Sequence, residues 1–130
     1  MSAVDDVLDR ARARLSRVSP ADLAGLPDDH LLVDIRPLHN RVAEGEIPGA
    51  VPVERIVLEW RLDPGGTHRM PGFTAETVVV VFCNEGYSSS LAARDLQEVG
   101  LPKATDLVGG FREYLAAGLP VQPGGTQAVT

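Results

Sequence analysis

The sequence predicts an α/β fold in which a mainly parallel central sheet is flanked by helices on both faces. Residues 77–82 form an uninterrupted, mostly β-branched apolar run, which is typical of a strand buried on both faces. Strand-like and helix-like segments alternate along the rest of the chain, as they do around parallel sheets. The 130 residues, 44% of them hydrophobic, suffice for one domain with a hydrophobic core.

The first helix is predicted over residues 3–15. Its apolar side chains share one face: Val4, Val7, Leu8, Ala11 and Leu15. Four arginines lie mostly elsewhere: Arg10, Arg12, Arg14 and Arg17. We interpret them as a solvated face with pairs such as Asp6–Arg10, and a docking or dimer element as the alternative. Residues 1–18 are therefore expected to be an N-terminal helical extension.

The main domain is predicted to begin at Ser19, which precedes Pro20 as a helix cap precedes a first-turn proline. Residues 31–36 read as a short strand that ends in charged side chains, and Pro37 stops it.

A turn over residues 45–50 then leads into a strand at 51–53. Residues 54–62 have helical spacing, and three of them are expected to face the core: Ile56, Val57 and Trp60.

After the central strand, residues 90–99 predict a helix that Gly100 ends. A last core strand follows at 104–108, and then a short helix at 111–117. We expect the domain to cover residues 19–121 and the Gly- and Thr-rich residues 122–130 to form a flexible tail.

Polar residues follow each predicted strand, and the carboxyl ends of parallel strands meet at one edge of a sheet, where ligands collect. The residues expected at this edge are Asp34 to Arg36, Glu54, Arg55, Cys83, Gly109 and Gly110.

Cys83, the single cysteine, is predicted to lie between the central strand and the start of a helix. Helix N–H groups favour a thiolate there, and Gly86 allows the intervening loop to turn its N–H groups towards one centre. This arrangement suits nucleophilic attack by sulfur with a charged adduct held by the loop. The alternative is that Cys83 is an inert, small apolar side chain.

Five segments in order resemble the rhodanese-like domains, a family of sulfurtransferases. They are 32–36 (Leu-Val-Asp-Ile-Arg), 45–50 (Gly-Glu-Ile-Pro-Gly-Ala), 80–86 (Val-Val-Phe-Cys-Asn-Glu-Gly), the small-residue helix 89–96 and 107–111 (Leu-Val-Gly-Gly-Phe). The resemblance implies a five-stranded parallel sheet and no cofactor. It implies that Cys83 takes a sulfane sulfur from thiosulfate or a persulfide and passes it to a thiol, cyanide or a protein. The residues that would bind the persulfide and the leaving anion are Asn84, Glu85, Gly86, Tyr87, Ser88 and Ser89.

The sequence departs from the family pattern in its charges. Ser88 stands where many members have a cationic residue, and Glu85 adds a negative charge to the loop. We expect weak attraction for a dianion such as thiosulfate, and we consider Arg36 or Arg55 as substitutes for the missing cation. Glu46 replaces a family histidine and is expected to be structural.

These charges leave two other functions open. One is a catalytically weak module that binds a partner or senses sulfur species through the same loop. The other is a phosphatase or arsenate reductase, which is disfavoured because those enzymes usually have a Cys-x5-Arg loop and here the sixth residue after Cys83 is Ser89.

Composition narrows the partners and the location. A formal net charge of −6 disfavours nucleic acid and anionic membrane surfaces. The histidines have no metal-ligand spacing, so no metal is expected. With one cysteine, an acidic start and no long apolar run, we expect a cytoplasmic protein of open oligomeric state.

Overall fold

The computed structural model describes residues 2–130, and its centre is a parallel sheet in the strand order β2-β1-β3-β4. The strands are β1 (Leu31–Asp34), β2 (Val51–Pro52), β3 (Val79–Phe82) and β4 (Thr105–Asp106). The α-helices are α1 (Ala3–Ala13), α2 (Leu38–Glu44), α3 (Leu58–Arg61), α4 (Ser88–Glu98) and α5 (Gly110–Ala116). Short 3-10 helices cover Pro20–Gly25 and Arg55–Val57. The predicted α/β class is confirmed.

The central strand β3 is buried along its whole length because both faces of the sheet carry a hydrophobic layer. Val79 and Val81 pack on one side with residues of α3 and α4, and Val80 and Phe82 pack on the other with residues of α5. Alternate side chains of a strand point to opposite faces, so an all-apolar run fits this place.

The expected fifth strand is absent among residues 2–130. The chain before the domain instead makes a single parallel bridge between Val18 and Leu107. Val18 donates its N–H to the Asp106 carbonyl and accepts from the Val108 N–H, at 3.0 and 2.8 Å. Pairing stops there because Pro20 has no N–H to donate and begins a 3-10 helix.

The predicted helix over residues 54–62 is broken into a 3-10 turn and the short helix α3. Its expected inward face is wrong for two of its three residues: Ile56 and Trp60 are 79% and 60% exposed, while Leu58 and Leu62 fill the core. Val57 is partly buried and packs against that core, as expected. The change of helix type between Val57 and Leu58 rotates the face that meets the sheet. Helix α2 was not predicted at all.

Residues 122–130, which we expected to be flexible, lie against the domain. Gln122 pairs with Glu46 and Val129 with Val53 in isolated bridges. The buried Glu46 carboxylate accepts from the Thr126 hydroxyl at 2.6 Å and pairs with Arg41 at 2.7 Å. Glu46 therefore has the structural role that the sequence suggested, and its partner is the C-terminal segment.

Candidate active site

Cys83 lies immediately after β3, and the loop that follows it ends where α4 begins at Ser88. The turn between β4 and α5 packs against this loop, because Phe111 donates its N–H to the Cys83 carbonyl at 2.9 Å. Gly86 has a φ of +84°, and a Cβ there would lie 2.7 Å from the nitrogen of Gly109. The two turns can approach so closely only because glycines meet there: Gly86 in the loop, and Gly109 and Gly110 in the turn.

The loop stabilises negative charge on the Cys83 sulfur. Gly86 donates its N–H to Sγ at 3.2 Å. Burial raises the pKa of the Cys83 thiol, but hydrogen bonding by Ser89 and by the N–H groups of Gly86 and Glu85 outweighs it. The pKa therefore lies below its ordinary value. A lowered pKa increases the thiolate fraction near neutral pH, which is what a sulfur nucleophile needs.

An open cleft of about 270 Å³ lies in front of the sulfur. Its lining comprises Ile35, Arg36, Pro37, Cys83, Asn84, Glu85, Tyr87 and Ser88. Of the residues proposed for the site, the structure thus brings Arg36 and most of the loop to one cleft. Ser89 lies behind it, buried, and Arg55 lies outside it.

Arg36 is the only cationic residue in the described cleft lining, and its charge is already paired. Its guanidinium donates to the Asp34 carboxylate at 2.8 Å and to the Gly45 carbonyl at 2.8 Å, and it stacks 3.9 Å from the centre of the Phe111 ring. The side chain is 1% exposed. Its Nη1 atom has no partner among residues 2–130, but that atom is buried too. This arrangement holds the rim of the sheet together.

Arg55 lies in a neighbouring groove of about 390 Å³ that shares Ile35, Arg36 and Pro37 with the cleft. Its guanidinium pairs with Glu59 at 2.8 Å and with Asp95 at 2.9 Å. These ion pairs hold Arg55 at the surface, outside the cleft in front of Cys83. The groove also has an apolar wall, because its lining includes the exposed Ile56 and Leu38.

Two residues outside the predicted site brace the loop from the side. Glu44, the last residue of α2, accepts from the Asn84 amide at 3.0 Å. Arg112 of α5 lies 3.5 Å from Glu44 and 3.3 Å from Glu85. Burial raises the pKa of Glu44, but hydrogen bonds from Asn84, Asn40 and Arg112 outweigh it and leave that pKa below its ordinary value. No spacing in the sequence signals this bracing, because α2 was not predicted.

A second group of charges lies behind the loop. The hydroxyls of Ser89 and Ser90 donate to the buried carboxylate of Asp106 at 2.8 and 2.7 Å. Arg17 pairs with the same carboxylate at 2.8 Å. Arg17 and Arg12 both donate to the Gly86 carbonyl, at 3.1 and 2.7 Å. Our interpretation of these two arginines as part of a solvated face is therefore wrong.

Residues 2–130 contain neither a helix that could span a membrane nor a cluster of metal-ligating side chains. No helix there is both long and apolar enough to cross a membrane. In the same range, no three His, Cys, Asp or Glu side chains converge as metal ligands would.

Proteins of known structure include two that are similar to this chain over most of its length. A protein of unknown function from Rhodopseudomonas palustris, described as a possible tyrosine phosphatase, is 30% identical, and the match covers 94% of this chain and 96% of that one with a TM-score of 0.84. The polysulfide-sulfur transferase homodimer of Wolinella succinogenes is 27% identical, with coverage of 94% and 88% and a TM-score of 0.71.

A family model and one curated relative also match most of this chain. The model of the rhodanese-like domain matches residues 19–117. An adenylyltransferase and sulfurtransferase of Arabidopsis thaliana is 26% identical over 114 residues, which are 82% of this chain and 24% of that protein. The chain therefore spans about a quarter of the length of this relative.

Proposed function

Because the chain belongs to the rhodanese-like domain family, we propose that it is a sulfurtransferase that carries sulfane sulfur on Cys83. The observation that supports this most directly is the position of Sγ. It lies at the carboxyl end of the central strand, 3.2 Å from the Gly86 N–H, and opens onto a cleft. The lowered pKa of the thiol supplies the nucleophile.

The reaction has two displacements on sulfur. The Cys83 thiolate attacks the outer sulfur of the donor, a new S–S bond forms, and the donor's own bond breaks. The leaving group keeps the electron pair, so thiosulfate gives sulfite and a persulfide donor gives a thiolate. An acceptor thiolate or cyanide then attacks the outer sulfur of the Cys83 persulfide. This step releases a persulfide or thiocyanate and regenerates the Cys83 thiolate.

The charges around the cleft favour an organic persulfide donor over thiosulfate. A dianion would meet Glu85 and no unpaired cation among the described lining residues, since Arg36 is held by Asp34. The apolar wall of the adjoining groove offers contact to a carbon-bearing donor or acceptor. The similarity to a polysulfide-sulfur transferase supports the transfer of sulfane sulfur in general.

Intact-mass measurement tests the proposal. The protein is mixed with thiosulfate, and separately with a low-molecular-weight persulfide, and then weighed. We expect the protein to gain the mass of one sulfur atom, and we expect Cys83→Ser not to gain it. A thiol acceptor should remove the added sulfur. The persulfide should produce the adduct at a lower concentration than thiosulfate does. A folded protein that gains sulfur from neither donor would contradict the proposal.

That contradicting result would favour the second candidate, a module of the same family that binds a partner or senses sulfur species. The Glu85 carboxylate at the cleft mouth, 58% exposed and paired with the exposed Arg112 at 3.3 Å, is the feature that favours it, because it offers a partner a charged contact. A phosphatase assay with a generic aryl phosphate tests for the activity that the description of the Rhodopseudomonas palustris protein suggests. We expect no turnover, because the loop has Ser89 where such enzymes usually have arginine, and its hydroxyl donates to Asp106.

A further inference from the structure

We propose that Arg12 and Arg17 are positioning residues of the Cys83 loop, supplied by a segment outside the family match. Both arginines precede residue 19, where the match begins. The proposal deepens the proposed function, since it says how this chain stabilises the thiolate without a cation at Ser88. Both side chains act through the loop and not on the sulfur itself.

Arg12 contacts three parts of the loop at once. Its Nη2 donates to the Gly86 carbonyl at 2.7 Å, and its Nε donates to the Ser90 hydroxyl at 3.1 Å. Its guanidinium carbon lies 5.6 Å from the centre of the Tyr87 ring, within the range of a cation–π contact. Arg17 adds a second donor to the same carbonyl at 3.1 Å.

These contacts fix the orientation of the peptide group that follows Gly86. The carbonyl of Gly86 is directed towards the extension by two guanidinium groups. In a trans peptide the next N–H points the opposite way, so the Tyr87 N–H is turned away from the arginines. The Gly86 N–H, on the preceding peptide, is the one that reaches Sγ. A loop held at its carbonyl keeps its N–H donors in place when the sulfur ionises.

The two arginines also set the charge behind the loop. Asp106 is fully buried there, and its negative charge would oppose ionisation of Cys83 if it were alone. Arg17 pairs with both of its oxygens, at 2.8 and 3.2 Å. Among residues 2–130, Arg12 forms no ion pair, so its positive charge is left uncancelled beside the loop. That charge takes the part of the cation that Ser88 lacks.

The test compares Arg12→Ala with Arg14→Ala in the full chain. Arg14 lies on the same extension, and its removal changes the net charge equally, but its guanidinium pairs with the exposed Glu98. The measurement is the rate of Cys83 alkylation by iodoacetamide as a function of pH. We expect Arg12→Ala to move the profile to higher pH and to slow alkylation near neutral pH by roughly threefold to tenfold. Arg14→Ala should match the unaltered protein, and Arg12→Lys should recover part of the shift.

Identical profiles for the Arg12→Ala, Arg14→Ala and unaltered proteins would overturn the proposal. If circular dichroism shows that Arg12→Ala folds poorly, Arg12→Gln, which keeps the side-chain stem and a donor, takes its place under the same criterion. Alkylation needs no sulfur donor, so this test is independent of the proposed function. A shifted profile in a protein that accepts no sulfur would refute sulfur transfer and leave the positioning role intact.

Discussion

Gly86→Ala is the substitution that most directly tests how the loop holds the Cys83 sulfur. Gly86 has a φ of +84°, and an added Cβ would lie 2.7 Å from Gly109 N and 3.1 Å from Gly109 Cα. Those atoms belong to backbone that is itself tied to the Cys83 loop through the Phe111 N–H. The clash cannot be relieved by rotating a side chain, so the loop has to move.

The size of the movement follows from the contact. An ordinary contact needs about 3.4 Å, so Cβ and Gly109 N must separate by about 0.7 Å. If the loop takes up this shift, the N–H to sulfur distance grows from 3.2 Å to nearly 4 Å, and one donor to the thiolate is lost. The thiol pKa should then rise, so the thiolate fraction and the alkylation rate near neutral pH should fall by up to roughly tenfold.

Gly49→Ala is the matched control. Gly49 has nearly the same φ of +85°, but nothing lies within 4 Å of the added Cβ. Both variants should lose about 1–2 kcal/mol of stability to the left-handed backbone, and Gly86→Ala should lose about 1–3 kcal/mol more from the clash. Urea unfolding measures the difference, and alkylation as a function of pH measures the thiol. An alkylation profile of Gly86→Ala that equals that of Gly49→Ala would refute the assigned role of the loop.

Two further substitutions probe the charges around the site. Glu46→Gln leaves Arg41 buried without its partner and should cost about 3 kcal/mol near neutral pH. Burial raises the pKa of Glu46, but hydrogen bonds from Thr126 and Arg41 outweigh this effect and leave that pKa below its ordinary value. The ionised Glu46 carboxylate therefore contributes fully to stability above its pKa in the unfolded chain, and this contribution is lost as the pH falls through its pKa in the folded protein. Urea unfolding at pH values from about 7 to about 3 should therefore show the stabilities of Glu46→Gln and the unaltered protein becoming equal. Asp106→Asn removes a negative charge behind Cys83 and frees the Ser89 hydroxyl. The pH profile of Cys83 alkylation should therefore shift to lower pH, opposite to the shift in Arg12→Ala, while the free energy of unfolding falls by about 1–3 kcal/mol. A shift of the profile to higher pH would contradict this account.

The position of Cys83 could be predicted because its determinants are local. An apolar run with no alternation can be satisfied only between two covered faces, and β3 is such a strand. The serines that follow begin α4 at Ser88, two residues before the predicted start at 90. Parallel strands then bring their carboxyl ends to one edge, which explains why Asp34 and Arg36 lie near the sulfur without any pairing signal in the sequence.

Helix α2 escaped prediction because its apolar side is not its buried side. Leu38 and Val42, one helical turn apart, are 55% and 60% exposed. The buried residue is Arg41, whose guanidinium pairs with Glu46 and donates a hydrogen bond to the carbonyl of Thr126. Periodicity rules assume that apolar residues determine the inner face, and here a buried ion pair determines it. The 3-10 turn at Arg55–Val57 and the helix α3 that follows it depart from the same assumption, because Ile56 and Trp60 are exposed on either side of buried Leu58.

Arg12 shows a different limit of sequence analysis. On a helix, an arginine that reaches a carbonyl across a loop has the same spacing as one that points into water. Its role depends on a contact between residues 12 and 86, and no local pattern encodes a contact of that separation. The only trace in the sequence is indirect: a loop with Ser88 and Glu85 lacks positive charge, and a stable thiolate requires that some other part of the chain supply it.

The two ends of the chain hold the site from opposite sides. The C-terminal segment encloses the Glu46 carboxylate, whose partner Arg41 lies on α2, and α2 presents Glu44 to the Asn84 amide. The N-terminal extension holds the Gly86 carbonyl through Arg12. Residues 122–130 and 2–18 both lie outside the family match at 19–117, yet each contacts the loop directly or through one helix. A loop braced in this way can keep its N–H donors aimed at the sulfur with no cation of its own.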